Sequence, residues 1–172
     1  MNEGRTTLPE PWLRGTLGEV PVVARGVLHA LELAKEDLWR WCGPLSSKKL
    51  AERPAGMASA AFHLRHIARS LDRLLTYAEG LKLDESQLAL LRSELAPEAD
   101  HDALFAELQL AFAHASRRIR ALSLADLDAP RAVGRMELPT TLGGLLVHLA
   151  EHTQRHVGQA ITTARLQTAE EQ

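Results

Sequence analysis

Four long stretches of this chain repeat apolar residues every three or four positions, and this helical period constrains the fold more than any other feature. The stretches cover about residues 19–42, 59–80, 97–122 and 140–167. Each is long enough for an amphipathic helix, whereas the strict alternation typical of a strand is nearly absent. Amphipathic helices must bury their apolar faces against one another. The sequence therefore predicts an all-α four-helix bundle.

Helix start and stop signals mark the ends of these stretches. Gly43-Pro44 is suited to end the first helix, and Ser59 and Gly80 are suited to cap the two ends of the second. Thr140 or Thr141 is suited to cap the fourth helix. A shorter periodic piece at about residues 85–95 predicts a possible short extra helix between helices two and three.

The connections between the predicted helices are not all short. About 15 residues precede helix two and helix four, and residues 126–139 are expected to be irregular. Connections of this length leave room for a crossover, so the pattern does not decide the bundle topology. We place the bundle at residues 19–168, after an irregular N-terminal segment (1–18) and before a short C-terminal tail (169–172).

Composition and charge exclude several classes of function. A chain of 172 residues that is 45% hydrophobic can bury one core. Its net charge of −2, with 20 Lys and Arg among 22 Asp and Glu, offers no basic stripe for nucleic-acid phosphates. No apolar run approaches the ~18–20 residues that span a bilayer, and residues 1–20 contain no signal-peptide core. We therefore expect a cytoplasmic protein that binds neither nucleic acid nor membrane. Since Cys42 is the single cysteine, an intrachain disulfide and a Cys-based metal cage are also excluded.

Three histidines, His148, His152 and His156, follow one another at four-residue intervals in the fourth predicted helix. Residues four apart lie one above the other on a helix, so two of these imidazoles can bind one divalent ion. His152 and His156 fall nearest the apolar direction of the helix, and His148 lies to the flank. We therefore favour His152 and His156 as a metal-binding pair. The competing interpretation is two partly buried histidines that are hydrogen-bonded to carbonyl groups.

A third ligand would come from the second predicted helix, which contains His63 and His66. On a helical wheel, His63 falls closer to the apolar stripe and would be that ligand. Glu151 adjoins the pair on helix four, but it points about 100° away from His152. We expect Glu151 to be exposed to solvent, and the pattern assigns no catalytic residue.

The two histidine-bearing stretches, FHLRHIARSLDR (62–73) and HLAEHTQRHVGQ (148–159), lie about 75 residues apart. Together they resemble the DinB-like superfamily of damage-inducible four-helix metalloproteins, which includes thiol-cofactor-dependent transferases and mycothiol-dependent maleylpyruvate isomerases. The resemblance spans about residues 20–165 and implies a three-histidine metal site at His66, His152 and His156. The helical wheel and the resemblance thus disagree on helix two. We favour His66, because a bundle site opens near helix ends, where the inward direction differs from the helix mean, and His63 stays the alternative.

The resemblance also implies a cofactor and an activity. We expect one divalent metal ion, Zn or Ni, with Fe or Mn as alternatives, and an open coordination position. The implied activity is a metal-dependent transferase for a low-molecular-weight thiol (bacillithiol, mycothiol or glutathione). The thiol would attack an electrophilic small molecule, in detoxification or stress response. The resemblance also implies a homodimer. A metal-dependent hydrolase and a non-catalytic metal-binding stress-related protein are the alternatives.

Overall fold

The computed structural model describes residues 8–98 and 100–169, which fold into a four-helix bundle with shorter elements between the long helices. The elements are, in order, the 3-10 helix Pro11–Leu13, α1 (Val22–Trp41), α2 (Ser47–Ala51), the 3-10 helix Pro54–Gly56, α3 (Ala60–Ala78), α4 (Glu85–Arg92), α5 (His101–Leu122), β1 (Pro130–Val133), β2 (Leu138–Thr141) and α6 (Leu142–Ala169). The predicted all-α bundle is confirmed, with α1, α3, α5 and α6 as its long helices and α4 as the short extra helix. Parts of the predicted N-terminal segment (1–7) and tail (170–172) lie outside the described residues.

The long helices are not arranged in sequence order. Helix α6 packs against both α1 and α3, and α5 packs against the same two helices. The consecutive helices α1 and α3 therefore lie diagonally opposite each other in the bundle, and so do α5 and α6. The two long connections, which precede α3 and α6, make these crossings. As a result, the histidine-bearing helices α3 and α6 are direct neighbours.

The capping residues hold the ends of α3 and α6 as the sequence predicts. The Ser59 hydroxyl accepts a hydrogen bond from the Phe62 amide at 3.1 Å, and Gly80 follows α3 with a φ of +78°. Of the two threonines before α6, Thr141 is the one whose hydroxyl accepts, from the Gly144 amide at 3.1 Å. These caps satisfy backbone groups that would otherwise be unpaired at the helix ends. They set where the histidine-bearing turns begin.

The expectation that residues 126–139 are irregular is wrong, because β1 and β2 form an antiparallel hairpin there. Arg131 pairs with Thr140, and Val133 pairs with Leu138. Each strand has only four residues, each contains a proline, and neither has a buried face. The alternation by which a strand is recognised is therefore missing from the sequence. The third long helix also begins later than predicted, at His101, because the Asp100 side chain caps it by accepting from the Ala103 amide.

The core is formed by the apolar faces of the four long helices. On α3 the buried stripe runs through Leu64, Ile67, Leu71 and Leu75, which have the three- and four-residue spacing of one helix face. Within the part of the chain that the structure describes, no helix has the length and apolar character required to cross a bilayer.

Candidate metal centre

Three of the histidines singled out in the sequence meet where α3 packs against α6. His66, His152 and His156 each place one ring nitrogen within 4.8 Å of the other two. Nε2 of His66 lies 2.8 Å from Nε2 of His152, and all three side chains are partly buried. Among the described residues, this is the one cluster of three or more His, Cys, Asp or Glu side chains with such spacing. Two neighbouring helices thus bring together donors that are 86 residues apart in the chain.

The pair on α6 has the protonation state that metal binding requires. Burial, followed by the charge of His66, lowers the pKa of His152 to about 4 and that of His156 to about 3. Both imidazoles are therefore neutral near pH 7. A neutral imidazole has a free nitrogen lone pair for a metal ion.

Glu94, which the sequence analysis did not identify, holds the ring of His66. Its Oε2 lies 2.7 Å from Nδ1 of His66, and its Oε1 accepts a hydrogen bond from Arg73 at 2.6 Å. Glu94 is only 3% exposed. Burial by itself raises the pKa of this carboxyl, but the hydrogen bonds with His66 and Arg73 outweigh burial and hold the pKa below its usual value. The ionised carboxylate can only accept, so Nδ1 of His66 donates to it, and Nε2 is the ring nitrogen that faces His152.

His63 lies beside the three clustered nitrogens and outside that group. It is 5% exposed, and its Nδ1 is 3.0 Å from Nδ1 of His156. Burial, followed by the charge of His66, lowers the pKa of His63 to about 4. The Phe62 ring stacks on His66, with an interplanar angle of 19°, and meets His63 edge-on. The structure therefore brings His66 to the pair on α6 and gives His63 a hydrogen bond to one member of that pair.

The two other residues singled out in the α6 motif, one histidine and one glutamate, face solvent. His148 and Glu151 are both exposed, and the Nδ1 of His148 is 3.6 Å from a carboxylate oxygen of Glu151. Glu151 also accepts a hydrogen bond from Arg155, one turn further along α6. Glu151 is thus exposed, as its position on the helix predicts.

The class of proteins to which this chain belongs is the DinB superfamily. The family model of that superfamily matches residues 30–160, a range that contains all three clustered histidines. Among curated proteins, none matches the chain significantly.

A solved structure with a similar fold is that of YfiT from Bacillus subtilis. The two chains have a TM-score of 0.62 and are 16% identical, over 83% of this chain and 86% of YfiT. YfiT is described as "a probable metal-dependent hydrolase with an unusual four-helix bundle topology". At this level of identity, the likeness shows a shared bundle fold.

Proposed function

We propose that this chain is a metal-dependent enzyme in which His66, His152 and His156 bind one divalent ion. The observation that carries the proposal is the convergence of three ring nitrogens within 4.8 Å, one of them oriented by a buried carboxylate. Imidazole suits Zn and Ni, our first candidates, and it also binds Fe; Mn is a further alternative. Three protein ligands leave a coordination position open, which is typical of reactive sites and not of structural ones.

For the activity, we propose transfer of a low-molecular-weight thiol, such as bacillithiol, mycothiol or glutathione, to an electrophilic small molecule. A divalent ion in this site would supply the charge that lowers the pKa of a thiol or a water molecule. Both acids next to the histidines already accept hydrogen bonds from other side chains. Glu94 uses both oxygens on His66 and Arg73, and Glu151 is paired with Arg155. This favours a thiol, which loses its proton more readily than water and has less need of a base.

The thiol must come from outside the chain. Cys42 is fully buried, and burial raises the pKa of its thiol to about 12. A buried, protonated thiol is not a nucleophile. The nucleophile of a transferase reaction would therefore be a small thiol that enters from solvent.

Hydrolysis is the second candidate, because YfiT, which has the same fold, is described as a probable metal-dependent hydrolase. A hydrolase would consume an activated ester without any thiol. A transferase would need both the thiol and the metal.

Co(II) substitution distinguishes these activities. We expect a low-molecular-weight thiol to change the visible spectrum of the Co(II) protein and to accelerate the consumption of 1-chloro-2,4-dinitrobenzene. The His66→Ala variant serves as the control and should show neither effect. Turnover of p-nitrophenyl acetate without thiol, together with an unchanged spectrum, would replace the transferase by a hydrolase. A protein that binds the metal but shows neither activity would be a non-catalytic metal-binding protein.

Homodimer formation stays a prediction from membership of the superfamily. Size-exclusion chromatography with light scattering tests it, since a dimer has twice the 18.9 kDa mass of one chain. A single-chain mass at micromolar concentration would contradict it.

A further inference from the structure

A groove of about 590 Å³ opens beside the candidate metal centre. It lies between α6, the first turn of α3 and the segment that leads into α3. A volume of this size is typical of sites for small molecules. The groove is lined by Met57, Ala58, His63, Arg155, Gly158, Gln159, Thr162 and Thr163.

The groove adjoins the clustered histidines through two of its lining residues. His63 forms part of its wall and has its Nδ1 3.0 Å from Nδ1 of His156. Arg155 directly precedes His156 on α6. A molecule held in the groove would therefore lie next to the metal centre.

The lining contains one permanent charge, the guanidinium of Arg155, and no carboxylate. Glu151, outside the lining, accepts a hydrogen bond from Nη2 of Arg155. A guanidinium has five N–H donors, so Arg155 retains donors for a second anion. An arginine fork matches the two oxygens of a carboxylate.

Part of the remaining lining, at Met57, Ala58 and Gly158, offers space and apolar contact, and Gln159 adds an amide. Met57 is 37% exposed, and a Cβ added at Gly158 would meet no atom within 4 Å. The hydroxyls of Thr162 and Thr163 donate to the carbonyl oxygens of Gly158 and Ala58. Since both hydroxyl protons are already used, the part of the groove beside Met57 and Gly158 suits an apolar body.

We infer that this groove binds a small molecule with a carboxylate and an apolar body, the carboxylate on Arg155 and the body against Met57 and Gly158. This proposal rests on the proposed function in one respect: it takes the bound molecule to be a substrate or thiol co-substrate of the metal centre. The carboxylate would fix the molecule at one end, next to the turn of α6 that carries His152 and His156.

Methionine-methyl NMR tests the inference directly. Met57 lines the groove, while Met136 lies in the hairpin turn and is 82% exposed, so it reports non-specific effects. Phenylacetate and its neutral counterpart phenylacetamide are titrated into metal-free and Zn-loaded protein. We expect the acid to shift the Met57 signal in both forms, the amide to bind about tenfold more weakly, and Met136 to stay unchanged.

Arg155→Gln should reduce phenylacetate affinity about tenfold, to the level of the amide. Arg117→Gln, at an exposed position on α5, is the matched control and should change nothing. Equal affinities for acid and amide, or an Arg155→Gln variant with full affinity, would overturn the inference. The inference would also be overturned if neither compound shifted the Met57 signal, or if the signal shifted only when Zn is present. A protein that binds no metal in elemental analysis would refute the proposed function alone, and the metal-free titration would still decide the groove.

Discussion

Oε2 of Glu94 lies 2.7 Å from Nδ1 of His66, and the other oxygen of the same carboxylate is held by Arg73. Arg73 follows His66 by seven residues, so both side chains lie on one face of α3. Glu94 reaches that face from the turn that follows α4. Glu94, itself held by Arg73, fixes the ring of His66 and places a carboxylate next to the imidazole cluster.

Replacing Glu94 by glutamine removes that charge with little change in shape. We expect Glu94→Gln to weaken divalent-metal affinity by roughly 10–100-fold, because a carboxylate partner both orients an imidazole ligand and makes it more basic. Competition with a fluorescent chelator measures the affinity, and circular dichroism checks that the variant is folded. The matched control is Glu107→Gln, since Glu107 pairs with Arg69 on α3 at 2.7 Å. Equal losses in the two variants would contradict a specific role for Glu94.

The two histidines of α3 should differ in their effect on metal binding. His66→Ala removes one of the three proposed ligands, whereas His63→Ala removes a hydrogen-bond partner of His156. We expect the His66 variant to lose metal under conditions in which the His63 variant keeps it with at most roughly 10–100-fold lower affinity. Isothermal titration with Zn provides the measurement. A larger loss in the His63 variant would make His63 the third ligand.

Periodicity along the chain was enough to predict the four long helices, because each buries one continuous apolar face. Glu94 could not be found in this way. It lies 28 residues from His66, in a piece whose periodicity predicts a short helix but none of its contacts, and only the packing of the turn after α4 against α3 brings the two together. The helical wheel correctly indicated that His63 is the more deeply buried histidine, at 5% exposure. Burial alone does not identify a ligand, however, because the packing of α6 against α3 determines which of the two α3 histidine rings faces His152. The hairpin was missed because its short, proline-containing strands have no apolar face.

Truncating a side chain of α6 should destabilise the bundle more, the more deeply that side chain is buried. Leu146 is fully buried, while the adjacent Val147 is 58% exposed. We expect Leu146→Ala to lower the free energy of unfolding by about 2–5 kcal/mol, since it leaves a cavity between packed helices. Val147→Ala should change it by about 0.5 kcal/mol or less. Urea denaturation followed by circular dichroism measures both values, and similar losses would contradict the described packing of α6.

Cys42 should be chemically inert in the folded protein. Its side chain is fully buried, and burial raises the pKa of the thiol from an ordinary value of 9.0 to about 12. We expect no alkylation by iodoacetamide at pH 8 under native conditions and complete alkylation in guanidinium chloride, as read by mass spectrometry. Between pH 9 and 12 the unfolded thiol ionises while the folded one stays protonated, so this group contributes less stability as the pH rises. Rapid native alkylation would show that the site around Cys42 is open.

The metal content of the purified protein tests the central claim most directly. Protein prepared without a histidine tag or chelator should contain close to one Zn, Ni or similar divalent ion per chain by elemental analysis. The His152→Ala/His156→Ala double variant should contain none, because two of its three proposed ligands are missing. The Leu110→Ala variant, at an exposed position on α5, is the control and should keep the metal. A wild-type protein that binds no divalent ion even after reconstitution, or a double variant that retains one, would contradict a metal centre at these histidines.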